Sequence, residues 1–236
     1  MQFQRSQSYD DSVALEGDVN VVISQVYLLM TIGLMITAVV AAFVASNEAF
    51  VINLVGRAPF LVIGLFVGQV VLVVVLSAAI AKLSPGLATA LFVLYSALNG
   101  VVLSVLFWAY TDASIVSTFV ITAGTFGVMS FIGLVTKRDL TKFGGLLFMA
   151  LIGFALASIV NLFLQSSGLY WLLTFAGILL FVGLTAYDTQ RIKQLAAQGV
   201  AEGRSHASLA VMGALKLYLD FINLFILLLR LFGRRR

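Results

Sequence analysis

The stretch from Phe143 to Tyr187 reads FGGLLFMALIGFALASIVNLFLQSSGLYWLLTFAGILLFVGLTAY and holds no charged side chain. It is too long for one membrane-spanning helix, which needs roughly 20 mostly apolar residues. Near its middle lies Gln165-Ser166-Ser167-Gly168, a turn signal. The stretch therefore predicts two helices folded back on each other across a bilayer. That reading sets the fold class of the whole chain.

The same pattern repeats outward from it. Uncharged runs cover Val19–Asn47, Ala58–Ala81, Leu83–Thr111 and Ala113–Thr136. With the two helices of Phe143–Tyr187 they make six spans. A last apolar segment, Ala207–Leu229, differs because it carries Lys216 and Asp220. A charge facing lipid costs about 2.5–3.5 kcal/mol on insertion scales, so both groups are expected to face the bundle interior. The segment reads as a central seventh helix, with a re-entrant hairpin as the alternative. The expected fold is all-α, a polytopic bundle of seven transmembrane helices. A polar tail (1–18) precedes the membrane domain (19–231), and a short basic tail (232–236) follows it.

Composition agrees. Of 236 residues 61% are hydrophobic and 10% charged, with mean hydropathy +1.10. A soluble domain is about 45–50% apolar and about 25% charged, and could not hide this much apolar surface. The length suits one bundle without a second domain. Cysteine is absent, which excludes disulfides, thiol nucleophiles and thiolate metal sites. The single histidine, His206, lies in a polar stretch, so no zinc centre and no cofactor are expected. The net charge of +4 comes from short basic clusters between apolar runs, a pattern of membrane topology and not of nucleic-acid binding. Residues 1–18 lack a basic region before a short apolar core, so the first span is expected to act as an uncleaved insertion signal.

Ser84-Pro85 places a capping hydroxyl before a proline at a first helical position, and Pro59 opens the second span in the same way. Glycines inside spans, such as Gly124, Gly127, Gly144 and Gly145, would let helices approach closely. The basic residues predict a cytoplasmic N-terminus: Lys82, then Lys137, Arg138 and Lys142, then Arg191, Lys193 and Arg204 would lie inside, and Arg57 outside. The tail conflicts with this, because seven full spans put Arg234, Arg235 and Arg236 outside. A re-entrant last segment would return them.

Most acids fall on the tail or in loops. Two do not: Asp188, near the end of the sixth span, and Asp220, within the last segment. Asp188 reads either as an intramembrane acid or as a helix-end residue reaching water one turn before Arg191. Asp220 reads either as a functional acid or as the partner of Lys216, four residues earlier on the same helix face, with Asn223 on that face too. If the carboxylates meet, they titrate as a pair, and a shared proton is a natural switch. Their oxygens suit calcium, but a tight site takes about 6–8 oxygens, so a transient site on a permeation path fits better. Paired aspartates on the last two helices also describe intramembrane aspartyl proteases, and Tyr187-Asp188 matches half of their motif. The other half is missing here, where Leu217-Tyr218-Leu219-Asp220 stands instead.

Several motifs together resemble the Bax inhibitor-1 (transmembrane Bax inhibitor motif) family. They are Gly183-Leu-Thr-Ala-Tyr-Asp188-Thr-Gln-Arg-Ile-Lys193, Leu217-Tyr-Leu-Asp220-Phe-Ile-Asn223-Leu-Phe225, Phe131-Ile-Gly133 with Thr136-Lys137-Arg138-Asp139-Leu140, and Leu94-Tyr95-Ser96-Ala97-Leu98. The likeness runs from about Gln25 onward and is nearest to the bacterial branch. It implies six helices around a central seventh in the bacterial inner membrane. It also implies a pH-sensitive calcium leak channel, with Asp188 and Asp220 as the sensor and Tyr187 and Asn223 as supporting polar groups. A basic residue near the third helix would latch the sixth-helix aspartate. Lys82 is the nearest candidate, and Lys216 is a second counter-charge where the family pattern predicts a neutral residue. The resemblance implies no enzymatic activity. Calcium or other cations in transit and the lipid bilayer are the expected partners. The rival reading is a non-transporting regulator of a membrane AAA protease, docked through the polar N-terminus.

Overall fold

The computed structural model describes residues 2–47, 59–79 and 83–236, with backbone alone at 2–14, 59–63, 66 and 79. Lys82, Arg57 and Glu48 lie outside the described residues. The long helices are α1 (Gln2–Ala45), α2 (Pro59–Ala79), α3 (Pro85–Leu103), α4 (Asp112–Val135), α5 (Gly144–Leu164), α6 (Ser167–Ala201) and α7 (His206–Phe232). Six are long and apolar enough to cross a membrane: all but α2, whose apolar core is described over Val67–Ala78.

Local chemistry explains the boundaries. Ser84 accepts from the Leu87 amide at the start of α3, and Pro85 takes the first turn. The expected turn after Leu164 forms: Gln165 sits in the left-handed region at φ 49°, and Asn161 Oδ1 accepts from the Ser166 amide at 3.1 Å. The third expected span forms as one apolar span over Pro85–Ala109, with a local irregularity at Ser104, whose hydroxyl donates to the Val101 carbonyl. Two readings need correction. The sixth helix does not stop near Tyr187 but runs on to Ala201, so Asp188 is not a helix-end residue. The last segment is not a re-entrant hairpin, because α7 is continuous over 27 residues, about 40 Å of helix.

The chain divides into two compact units, 1–109 with 192–218, and 110–191 with 219–236. In the first, α1 buries a helical stripe of Val19, Val22, Val26, Met30, Leu34, Thr37 and Ala41. Its opposite face, with Leu28, Met35, Val39 and Phe43, stays exposed and apolar, as lipid requires. Close approach of α1 to α3 depends on Gly100, where a Cβ would lie 2.7 Å from the Thr37 carbonyl. Tyr218 is fully buried in this unit. Its hydroxyl lies 2.7 Å from Thr37 Oγ1, and the rings of Phe92 and Tyr95 meet it edge-on.

In the second unit, α4 turns Ser114, Thr118, Thr122, Phe126, Ser130 and Gly133 inward. Its lipid-type face carries Val116, Val120, Val128 and Phe131. Leu180, Phe181 and Leu184 of α6 form one core cluster with Leu224, Leu227 and Leu228 of α7, and Leu147, Leu151 and Phe154 of α5 pack against it. The whole of α7 is the most enclosed of the membrane-length helices. Some 72% of its most apolar window is buried, against 33% or less in each of the others.

Candidate functional site

Among the described residues the fully buried charged side chains are Asp188 and Asp220, 8% and 5% exposed. Both belong to the second unit. Helix register relates them. Leu180, Leu184 and Asp188 recur every four residues on one face of α6, and Asp220, Leu224 and Leu228 do the same on α7. The four leucines share one cluster, and a Cβ on Gly177 of α6 would touch Leu227 of α7 at 2.9 Å. The two helices run antiparallel. Asp188 lies one turn past Leu184 and Asp220 one turn before Leu224, so both acids lie beyond the same end of the cluster that the two helices share.

The neighbours of Asp188 on α6 are fixed by three other elements. A Cβ on Gly144, at the start of α5, would lie 2.5 Å from the half-buried Tyr187 hydroxyl. The Thr189 hydroxyl lies 2.9 Å from Ser130 Oγ of α4. A Cβ on Gly133 would run into the Ala186 carbonyl. Gln190 Oε1 accepts from the Leu140 amide at 2.8 Å, while its Nε2 donates to the Arg138 carbonyl at 2.9 Å. This turn of α6 is thus clamped to α4, to α5 and to the basic loop between them. Sequence reasoning passed over Gln190, Thr189 and Ser130, because their partners lie more than 49 residues away in the chain.

Around Asp220, Phe221 packs against Phe119 and Phe126 of α4 at centroid distances of 5.4 and 5.5 Å. Asn223, expected to support Asp220, donates to the Leu219 carbonyl of its own helix at 2.8 Å. Lys216 is half-buried, one turn before Asp220 in the helix, and belongs to the other unit. Lys82 lies outside the described residues. Among the described residues no three His, Cys, Asp or Glu side chains gather as a metal-ligand group.

The inner face of α4 adds a line of hydroxyls, from Ser114 through Thr118 and Thr122 to Ser130 beside Thr189. The Thr122 hydroxyl donates to the Thr118 carbonyl. The Thr118 hydroxyl is fully buried and has no partner among the described residues. Phe126, packed on Phe221, interrupts the line between Thr122 and Ser130. In the loop, Thr141 holds the exposed Asp139 carboxyl below its usual pKa of 3.8, through its hydroxyl and then its amide. Because that pKa is lowered, its contribution is present above the ordinary carboxylate range and lost as pH falls through the lowered value. Asp139 is therefore silent near neutral pH.

Residues 19–236 match the family model described as Inhibitor of apoptosis-promoting Bax1. The chain is 52% identical to the inner membrane protein YbhL of Escherichia coli (strain K12) over 228 residues, 96% of this chain and 97% of that one. It is 46% identical to a protein of Borreliella burgdorferi over 217 residues, 92% and 93% of the two chains. It is 36% identical to a membrane protein of Streptococcus pyogenes serotype M1 over 228 residues, 95% and 98% of the two chains.

Proposed function

The chain belongs to the Bax inhibitor-1 family, and from that premise we propose that it is a pH-sensitive leak pathway for calcium or a similar cation. Asp188 and Asp220 are its titrating pair. One observation supports the reading: the two buried acids lie beyond the same end of a core cluster shared by two packed helices, each one turn from a leucine of it. In a low-dielectric interior two such carboxylates hold protons jointly, so their charge state responds to pH as a unit. The hydroxyl line of α4 supports a polar route past them, since hydroxyl oxygens can replace water around a hard cation without holding it tightly. Phe126 on Phe221 is the constriction in that route. Lys82 and Lys216 are the counter-charge candidates.

The reading sets the protein in the bacterial inner membrane with its N-terminus in the cytoplasm, and α7 as the central helix. The name of the Escherichia coli relative supports the location, and the enclosure of α7 supports its placement. No catalysis is assigned. Calcium entry into dye-loaded liposomes tests the proposal, and no flux from the parent protein at any pH would overturn it.

A second reading, a non-transporting regulator of a membrane protease, has one observation in its favour. Helix α1 begins at Gln2, so the polar segment before the first span continues as helix, a form suited to docking. Deleting residues 2–18 separates the two. Loss of a cellular effect with unchanged flux favours the regulator.

A further inference from the structure

The second unit gathers cations at the end of α4 opposite its basic loop. After α7 the chain turns at Gly233, where a Cβ would strike the Leu229 carbonyl and lie 2.5 Å from the Tyr110 ring. Glycine there lays the tail against the start of α4. The Thr111 amide donates to the Arg234 carbonyl at 3.0 Å, and the Arg234 amide donates to Ser114 Oγ at 3.0 Å. Tyr110 and Arg235 form an antiparallel bridge.

This backbone pairing fixes where the guanidinium groups go. Arg235 Nη2 donates to the Tyr170 hydroxyl at 3.4 Å. The Arg230 guanidinium stands 5.7 Å from the centroid of the same tyrosine ring. Of the four exposed arginines Arg230, Arg234, Arg235 and Arg236, Arg236 pairs with the Asp112 carboxylate at 2.8 Å. The loop cations Lys137, Arg138 and Lys142 lie at the other end of α4, about 35 Å away along the helix. The rule that concentrates basic residues on one membrane side explains one of these clusters and not both.

Two exposed guanidinium groups that meet at one tyrosine raise the local positive potential and favour an anion there. The surroundings say which anion. Trp171 is 45% exposed, stacked on Phe175 and edge-on to Tyr170. Leu172, Phe175 and Phe232 are exposed beside it. That is an aromatic belt at headgroup depth, next to a face made for acyl chains. The anion that arrives there is joined to a lipid, and the guanidinium fork matches phosphate.

We propose that Arg230, Arg235, Tyr170 and Trp171 form a headgroup site for an anionic phospholipid. The phosphodiester lies between the two guanidinium groups, and the acyl chains run along Leu172 and Phe175. The proposal is independent of the ion pathway.

Native mass spectrometry of the full chain, released from nanodiscs of phosphatidylglycerol mixed with phosphatidylcholine, tests it. The parent should retain phosphatidylglycerol in preference to phosphatidylcholine. Each basic residue near an anionic surface is worth roughly fivefold, so the Arg230→Gln/Arg235→Gln variant should lose about 30-fold of that preference. The Lys137→Gln/Arg138→Gln variant should lose none. If the double variant does not survive purification, Arg230→Gln alone should lose about fivefold. Equal retention of both lipids by the parent overturns the proposal. So does full preference in the arginine variants, or displacement of the lipid by millimolar inorganic phosphate.

Discussion

Asp188 of α6 lies one turn after Leu184 and Asp220 of α7 one turn before Leu224, two leucines of one shared core cluster, and both acids are buried. Each sits on the helix face that its neighbours already commit to packing. Three elements, α4, α5 and the basic loop between them, fix the turn around Asp188, so that acid has little freedom to swing away.

Gly133 and Gly124 both lie on α4 but face different surroundings. A Cβ at Gly133 meets the Ala186 carbonyl and lies 2.9 Å from Thr189 Cβ, whereas nothing lies within 4 Å at Gly124. Gly133→Ala should therefore push α4 off α6 and cost about 1–3 kcal/mol. Gly124→Ala should be neutral or stabilising by up to about 1 kcal/mol through helix propensity. Thermal unfolding in detergent compares them, and equal midpoints would refute the close approach.

Gln190 is a strap. Gln190→Ala removes two hydrogen bonds and frees the loop that carries Arg138 and Leu140. The expected loss is about 1 kcal/mol per bond. Hydrogen exchange of residues 136–143 should rise while exchange in the core of α6 stays unchanged.

Thr118 offers an unusual sign. Its buried hydroxyl has no partner among the described residues, so Thr118→Val should hold or raise stability, by up to about 1–3 kcal/mol. On the leak reading the same change lowers flux, because it removes an oxygen from the route. A variant that is less stable than the parent, or that conducts equally, counts against the hydroxyl line.

Phe126 is 4% exposed and packs on Phe221. Phe126→Ala should cost about 3–5 kcal/mol and raise cation leak at a pH where the parent is closed. Phe126→Leu keeps most of the bulk and serves as the comparison. Unchanged leak in a folded Phe126→Ala protein would exclude the constriction.

Much of this was legible in the residues themselves. Charge-free runs located the spans, because lipid punishes charge over the whole length of a crossing helix. Ser84-Pro85 and Gln165-Ser166 marked ends through capping and turn chemistry. The length of α6 was not legible from polarity. The stretch from Thr189 to Ala201 mixes polar and apolar residues and includes good helix formers such as Gln190, Arg191 and Lys193, so the helix outlasts the charge-free run. The irregularity at Ser104 inside the third span has no proline or glycine to announce it. The hydroxyl spacing of Ser114, Thr118 and Thr122 stood open in the sequence, but its inward direction depends on packing. The arginine tail was visible as charge. Its place at the start of α4 follows only once α7 is known to be one uninterrupted helix.

The most direct test is calcium flux into dye-loaded liposomes, measured across pH for the parent and for Asp188→Asn and Asp220→Asn. The account predicts that the parent flux changes with pH and that each variant flattens or displaces that profile while the protein stays folded. Two folded variants whose profiles superimpose on the parent would contradict it.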